Sequence, residues 1–193
     1  MTNIAIFASG SGSNAQKIAE HFNGTDDIGV SLILTNNPDA FVLERASQLG
    51  IPTHVFSRDE FYKSTSVLNE LRKSDVDFIV LAGFMWLVPS YLVAAYSGKM
   101  VNIHPALLPK FGGKGMYGDH VHKAVKEAGE TVTGITIHFV NERYDEGDII
   151  HQAKCTIEAH DTPADIASKV HALEYQYYPQ VIEQVIRKSS KNK

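Results

Sequence analysis

An asparagine and a histidine two residues apart carry the clearest chemical signal in this sequence. Asn102 and His104 stand in the segment MVNIHP, at the end of an apolar run. In an extended segment, side chains two residues apart point to the same side, so the amide and the imidazole would face one space. An amide can stabilise an oxyanion while an imidazole transfers a proton, and this combination suits acyl transfer. A histidine before a proline is, however, more often an ordinary loop residue.

A polar turn further along the chain offers a carboxylate partner. Its sequence is NERYDEGD, at residues 141–148. Acidic turns between strands are usually only solvated, which is the simpler interpretation. A carboxylate that reached an active-site imidazole would stabilise its charged form and raise its pKa above about 6.5. Asp145 and Asp148 are both candidates for this contact.

A loop rich in glycine and serine follows the first apolar run and precedes the first helical pattern. Its sequence is ASGSGSN, at residues 8–14. Glycines allow close approach to a ligand, and the N-terminus of the following helix favours an anion, so a phosphate is the expected guest. A tight turn without a ligand is the alternative interpretation.

The same loop also fits the dinucleotide-binding pattern of two glycines followed by Ala15. That pattern requires an acidic residue at the end of the second strand, to bind the ribose hydroxyls. Here that strand ends in Thr35 and Asn36, and Asp39 comes only after a proline. The loop also lacks the lysine of a P-loop. A phosphate ester therefore fits better than a nicotinamide cofactor.

The elements that must position these residues alternate between strand and helix. Apolar runs predict strands at residues 4–7, 30–35, 54–56, 78–82 and 100–103. Between them, apolar stripes predict helices at residues 14–22, 40–48 and 59–73, and a helical turn near Pro89. Alternation of this kind predicts an α/β fold of the Rossmann-like type, with a mostly parallel sheet and helices on both faces.

The last third of the chain changes character. Residues 132–140 and 149–157 alternate between apolar and polar side chains, which predicts an antiparallel hairpin added to the sheet. In the first of these strands, Ile135, Ile137 and Phe139 would form the apolar face. A final helix would begin at Thr162 and Pro163, and Pro179 should kink or break it. We predict one domain over residues 1–188 and a disordered tail at 189–193.

Composition excludes several classes of protein. The 193 residues carry a formal net charge of −4, so no basic surface invites nucleic acid. The single cysteine, Cys155, cannot form an intramolecular disulfide and is expected to be buried. No apolar run approaches the length of a membrane span. His120 and His122 would point apart on a helix, so they do not predict a metal site. We expect a cytoplasmic protein without nucleic-acid or membrane partners.

Together these motifs resemble the folate-dependent formyltransferases over essentially the whole chain. The segment from Asn102 to Pro109 is highly specific to that family, and the glycine-serine-asparagine loop narrows the resemblance to the branch that acts on phosphoribosylglycinamide. The segments that carry the resemblance are residues 9–14, 39–46, 80–85, 101–109, 133–140 and 144–150.

The resemblance implies transfer of a formyl group from 10-formyltetrahydrofolate to the amine of 5-phosphoribosylglycinamide, a step of purine (IMP) biosynthesis. Asn102 and His104 would be catalytic, and Asp145, rather than Asp148, would be their partner. The ribonucleotide phosphate and ribose would be bound by Gly12, Ser13, Asn14 and Glu174. Folate would be bound by Arg58, Met85, Trp86, Leu87, Val88, Asn102, Asn141, Glu142, Arg143 and Tyr144. The resemblance also implies that the protein acts on small-molecule substrates without a metal. It would be a monomer or a homodimer.

The sequence departs from the family pattern at two places. Trp86 stands where many members carry arginine. The segment 111–118, FGGKGMYG, is longer and richer in glycine than the usual turn, and we predict that it is a mobile flap over the substrates.

Four other functions stay open at this point. Within the family they are a formyltetrahydrofolate hydrolase and a methionyl-tRNA formyltransferase. Outside it, they are a nicotinamide oxidoreductase and a non-catalytic nucleotide-binding module. The first two should carry an extra regulatory or tRNA-binding domain, which this chain does not show.

Overall fold

The computed structural model describes residues 1–191, and the chain divides into two compact units, residues 1–101 and 102–193. The first unit contains the parallel part of the fold. Its elements are β1 (Thr2–Phe7), α1 (Ser13–Phe22), β2 (Ile28–Thr35), α2 (Val42–Leu49), β3 (Thr53–Val55), α3 (Arg58–Tyr62), α4 (Ser66–Lys73), β4 (Phe78–Leu81) and α5 (Ser90–Ala95). Strand β5 (Met100–His104) crosses the boundary between the units.

The strands of the first unit are parallel and lie in the order β3-β2-β1-β4. In β1, Ile4 pairs with Val30 on one side and with Phe78 on the other. Residues 4–7 and 78–81 are all buried, as expected of strands covered on both faces. The predicted parallel α/β arrangement is therefore confirmed in this unit.

The helix predicted over residues 59–73 is two helices, so that prediction was wrong. α3 ends at Tyr62 and α4 begins at Ser66. Between them, the Ser64 hydroxyl donates to the carbonyl oxygen of Glu60 and accepts from the Ser66 N–H. Serine side chains that bond to the nearby backbone compete with helical hydrogen bonds, and this interrupts the helix.

The second unit contains the antiparallel part of the fold. Its elements after β5 are α6 (Asp119–Glu127), β6 (Val132–Phe139), β7 (Ile149–Thr156) and α7 (Pro163–Lys191). β6 and β7 form the predicted antiparallel pair, with a register shift between Ile137 and His138. The polar face of β6 is buried as well, because Thr136 and His138 are about as buried as Ile137 between them.

The last helix begins where the sequence predicts. The Thr162 hydroxyl accepts from the N–H of Asp165, whose carboxylate accepts from Thr162 in return. Of the two predicted effects of Pro179, a break does not occur, since α7 continues to Lys191, and a kink stays a prediction. Tyr178 and Ile182, on either side of the proline, are completely buried, and this packing offsets the hydrogen bond that a proline removes.

Several smaller predictions have different outcomes. Cys155 is half-buried instead of buried. The tail predicted at 189–193 overlaps the end of α7, and residues 192 and 193 lie outside the described residues. The disordered tail therefore stays a prediction. The single domain over residues 1–188 also stays a prediction. None of the helices in the described part of the chain is both long and apolar enough to cross a lipid bilayer.

Candidate active site

The second unit brings together the three residues for which the sequence suggested catalysis. Asn102 and His104 lie at the end of β5, and Asp145 lies in the turn between β6 and β7. The Asp145 Oδ2 atom is 3.4 Å from Nδ1 of His104, and its Oδ1 atom is 3.4 Å from Nδ2 of Asn102. Asp148, the other candidate, is exposed. The His104 side chain is only 3% exposed, so this cluster is shielded from water.

A fourth side chain, His138 of β6, completes the cluster. Its Nε2 atom is 3.1 Å from Nδ2 of Asn102 and 3.6 Å from Oδ1 of Asp145. Its Nδ1 atom is 2.8 Å from the carbonyl oxygen of Phe139 and must donate to it. These contacts orient the Asn102 side chain so that its amide nitrogen faces the Asp145 carboxylate.

The Nε2 atom of His104 faces the segment that follows β5. It lies 2.8 Å from the carbonyl oxygen of Phe111, so it must carry a proton and donate it. In the same segment, the Gly113 N–H donates to Oδ2 of Asp145 at 2.9 Å. The beginning of the glycine-rich segment 111–118 is therefore bound to His104 and Asp145. Its predicted mobility stays a prediction.

The pKa of His104 differs from the prediction. Burial lowers the pKa below its ordinary value of 6.5, and His138 acts in the same direction, whereas the Asp145 carboxylate and the Phe111 carbonyl raise it. The carboxylate acts as predicted, but the net direction was predicted wrongly. The reason is that removal of the charged ring from water outweighs the attraction of one carboxylate. His104 is therefore neutral at neutral pH, with its proton on Nε2.

Asp145 is ionised in this cluster. Burial by itself would raise its pKa, but the His138 ring, the charge that His104 carries at acidic pH and the Gly113 N–H together hold the pKa below the usual 3.8. Asp145 has a φ of 57°, a left-handed conformation that aspartate tolerates better than most residues. Two residues later, a Cβ atom on Gly147 would lie 1.7 Å from the carbonyl oxygen of Phe139. Only glycine lets the turn pass so close to β6.

The predicted phosphate loop lies in the first unit, between β1 and α1. Gly12 is the residue before α1 and has a φ of 71°. The Ser9 hydroxyl donates to Oδ1 of Asn36 at 2.7 Å and accepts from the Met85 N–H at 3.1 Å. The loop is thus tied to the segments that follow β2 and β4. Ser13 and Asn14 are the first two residues of α1.

Some of the residues predicted to bind folate in the first unit belong to an aromatic cluster or contact it. Trp86 packs against Phe56 and Phe61, with ring centroids 6.1 and 5.8 Å away. The Arg58 guanidinium lies over the ring of Trp86 at 5.5 Å and over that of Tyr62 at 5.1 Å. Met85 is exposed and Val88 is buried. The Leu87 carbonyl accepts from the Tyr62 hydroxyl.

The remaining predicted ligand-binding residues lie in the second unit. Glu174 is buried in α7, and burial of Tyr178 together with the charge of Glu174 raises the pKa of Tyr178. In the turn before Asp145, the Asn141 side chain accepts from the Arg143 N–H. Glu142 and Arg143 are exposed, and Tyr144 is half-buried.

Comparison with known proteins identifies the family. The chain matches the formyl transferase family over residues 2–182. It belongs to that family. It is 39% identical to the phosphoribosylglycinamide formyltransferase of Bacillus subtilis, over 96% of this chain and 95% of that protein. It is 44% identical to the chloroplastic enzyme of that name from Arabidopsis thaliana, over 93% of this chain but only 63% of the relative's length.

A solved structure supports the same assignment. The crystal structure of phosphoribosylglycinamide formyltransferase from Bacillus halodurans superposes on this chain with a TM-score of 0.87 and 38% identity, and 97% of each chain is covered. The predicted formyltransferase fold is confirmed.

The sequence-based prediction missed several polar residues of this formyl transferase. The Thr136 hydroxyl donates to the carbonyl oxygen of Ala106 and accepts from Leu108 N–H and Gln152 Nε2, at 2.7 to 2.9 Å. These bonds fasten the segment after His104 to β6 and β7. A signal was present, because Thr136 and His138 alternate with apolar residues and therefore share a face of β6.

The described residues contain no group of three or more His, Cys, Asp or Glu side chains placed to hold a metal ion. His122 is buried and the neighbouring His120 is exposed, which agrees with the prediction that the two side chains point apart.

Proposed function

We propose that this protein transfers the formyl group of 10-formyltetrahydrofolate to the amine of 5-phosphoribosylglycinamide, in purine biosynthesis. The observation that carries the proposal is the contact of one carboxylate, that of Asp145, with both Asn102 and His104, each at 3.4 Å. Relatives and solved structures that bear the name of this activity support it.

The attacking amine must be uncharged, and its nitrogen forms a bond to the formyl carbon. The carbonyl oxygen becomes an oxyanion, and the amine nitrogen must then lose a proton. We propose that neutral His104 accepts this proton, because its low pKa leaves the ring uncharged beforehand. The imidazolium that forms is stabilised by Asp145, which accepts a hydrogen bond from Nδ1.

The second half of the reaction breaks the bond between the formyl carbon and the folate nitrogen. The leaving nitrogen takes up the proton that the amine lost, so tetrahydrofolate and the formylated ribonucleotide are released without net proton change. Asn102 stabilises the oxyanion meanwhile. One of its two amide N–H groups would leave the 3.4 Å contact with Asp145 and donate to the oxyanion.

The substrates are assigned to the residues that the family resemblance implies. Gly12, Ser13 and Asn14 would hold the ribonucleotide phosphate at the N-terminus of α1, where free N–H groups and the helix dipole favour an anion. Glu174 would accept hydrogen bonds from the ribose hydroxyls. The folate would be bound by Arg58, by residues 85–88, and by residues 141–144. We propose that the reaction needs no metal and that the protein is a cytoplasmic monomer or homodimer.

An absorbance assay for tetrahydrofolate formation tests the proposal. The purified protein is incubated with 10-formyltetrahydrofolate, with and without 5-phosphoribosylglycinamide. We expect tetrahydrofolate only when the amine substrate is present. Formation without it would identify a hydrolase instead, and no product under either condition would indicate a nucleotide-binding module.

Two alanine variants test the assigned residues. We expect His104→Ala and Asp145→Ala each to lower kcat at least about a hundredfold, the contribution typical of a positioned acid–base group. Circular dichroism should show that both variants are folded. Asp148→Ala and His160→Ala, at exposed positions of the same unit, are the matched controls and should keep kcat within about twofold of the unmodified protein. Near-normal turnover in either active-site variant would remove that residue from the mechanism.

A further inference from the structure

The loop assigned to the ribonucleotide phosphate contains no charged side chain, but one arginine is bound to its backbone. Arg45 lies in the middle of α2, and its Nε atom donates to the carbonyl oxygen of Ser11 at 2.8 Å. Its Nη1 atom also donates to the side-chain oxygen of Gln16 in α1. Arg45 therefore connects α2 to the loop and to the helix that follows the loop.

The same helix holds the loop at two further points. The Val42 N–H donates to the carbonyl oxygen of Gly10 at 3.1 Å. The Val42 side chain packs against Gly12 so closely that a Cβ atom there would lie 2.3 Å from Val42 Cγ2. Two successive carbonyl groups of the loop, those of Gly10 and Ser11, thus point toward α2.

These contacts determine where the neighbouring N–H groups point. The peptide bonds that follow Gly10 and Ser11 are trans, and in a trans peptide the C=O and N–H bonds point in opposite directions. The N–H groups of Ser11 and Gly12 must therefore point away from α2. Successive backbone N–H groups directed to one side, next to a residue with positive φ such as Gly12, form a concave site for an anion.

The position of Arg45 is itself supported on both sides. Its guanidinium lies over the ring of Phe41 at 5.0 Å. On the other side, Gln16 donates through Nε2 to Glu20 at 2.7 Å, which leaves its side-chain oxygen to accept from Arg45. The guanidinium thus has a fixed orientation, on the side of the loop opposite to the proposed phosphate position.

We infer that Arg45 is a positioning residue for the ribonucleotide. It keeps the Ser11 carbonyl turned toward α2, so that the Ser11 and Gly12 N–H groups face the phosphate. The inference rests on the proposed function for the identity of the substrate. It adds a residue outside the loop, on a different helix, to the determinants of phosphate binding.

The test compares Arg45→Met with Arg45→Lys. Methionine keeps a long apolar stem over Phe41 but removes every donor, whereas lysine keeps the charge and loses the planar fork that reaches Ser11 and Gln16 together. We expect Arg45→Met to raise KM for the ribonucleotide at least about tenfold, with kcat and KM for the formyl donor within about twofold of normal. Arg45→Lys should give an intermediate KM.

A second measurement does not depend on turnover. Inorganic phosphate, titrated into the free protein, should raise its Tm by binding to the loop. This rise should be nearly absent in Arg45→Met. Arg72→Met makes the same replacement at an exposed position of α4, and it should retain both the phosphate effect and the normal KM.

Two results would overturn the inference. One is an Arg45→Met protein that binds the ribonucleotide and phosphate as the unmodified protein does. The other is an equal rise in KM for both substrates, together with a lower Tm without ligand, because that would indicate general loosening of the unit. If the unmodified protein transfers no formyl group, the proposed function fails, while the phosphate titration still tests Arg45.

Discussion

The ring of His104 lies between two acceptors, the Phe111 carbonyl on one side and the Asp145 carboxylate on the other. The shorter contact, at Nε2, holds the proton of the neutral ring. The longer contact, at Nδ1, is the place where a second proton would be stabilised by the carboxylate. Burial makes that second proton costly, so the ring stays neutral until a proton is supplied, as the proposed mechanism requires of a base.

The substitution Asp145→Asn separates the opposing effects of burial and of the neighbouring charge on the pKa of His104. This substitution keeps the shape of the side chain and removes the carboxylate charge that raises the pKa of His104. We expect His104 to titrate below 6.5 in the unmodified protein and at a still lower pH in Asp145→Asn. NMR of the imidazole C–H resonances, assigned with a His104→Ala sample, measures both values. An unchanged or higher pKa in the variant would contradict this account of the pair.

At the scale of the elements, β5 places the active-site residues and β6 holds them in position. The register shift between Ile137 and His138 marks the point where β6 departs from regular pairing with β7. Irregularities of this kind re-aim side chains, and here the residue concerned is the one that contacts Asn102. Two residues earlier, Thr136 fastens the chain that follows His104.

Thr136→Val tests whether this attachment controls the site. The substitution leaves the Ala106 carbonyl, the Leu108 N–H and the Gln152 amide without their shared partner in a buried place. We expect the free energy of unfolding to fall by about 2 to 4 kcal/mol, and kcat to fall roughly tenfold as His104 loses its fixed position. Urea denaturation and steady-state kinetics measure the two effects.

Thr133→Val is the control for this substitution. It makes the same replacement at another buried threonine of β6, whose hydroxyl takes part in none of the three bonds. Equal losses in both variants would mean that β6 is sensitive to any such replacement, and that Thr136 has no special part in holding the site.

For the whole molecule, two buried histidines link stability to pH. Burial lowers the pKa of His104, and burial together with the charge of His171 lowers that of His122. The unfolded chain, in which both titrate near 6.5, therefore binds protons more readily than the folded protein does. The contribution of the two histidines to the free energy of unfolding is therefore fully present above pH 6.5. It is lost as the pH falls toward their pKa values in the folded protein.

We expect the free energy of unfolding to fall by about 1 kcal/mol or more between pH 7.5 and pH 5.0. The carboxylates contribute little in this window, because the shifted ones titrate below their ordinary values. Urea denaturation at several pH values gives the slope. His122→Gln, which cannot titrate, should flatten it. A slope that is the same with and without His122, or absent in the unmodified protein, would show that the buried histidines do not control acid stability.

Features that depend only on neighbouring residues could be predicted from the order of the amino acids. The two-residue spacing of Asn102 and His104 sends both side chains to one side, because the period of a strand is two. The alternation of apolar runs and helical stripes predicted the parallel unit and the β6–β7 pair. The start of α7 followed from Thr162 and Pro163 alone, since capping is a local interaction.

Tertiary structure decided what depends on residues far apart in the chain. Spacing left Asp145 and Asp148 as equal candidates, and only the path of the turn past Gly147 brought Asp145 to His104. The contact of His138 with Asn102 and that of Arg45 with Ser11 likewise join distant segments. The direction of the pKa shift at His104 was predicted wrongly for the same physical reason. Burial is a property of the whole packed unit, and in a low-dielectric interior its effect on a charge exceeds that of the single partner that a sequence motif can suggest.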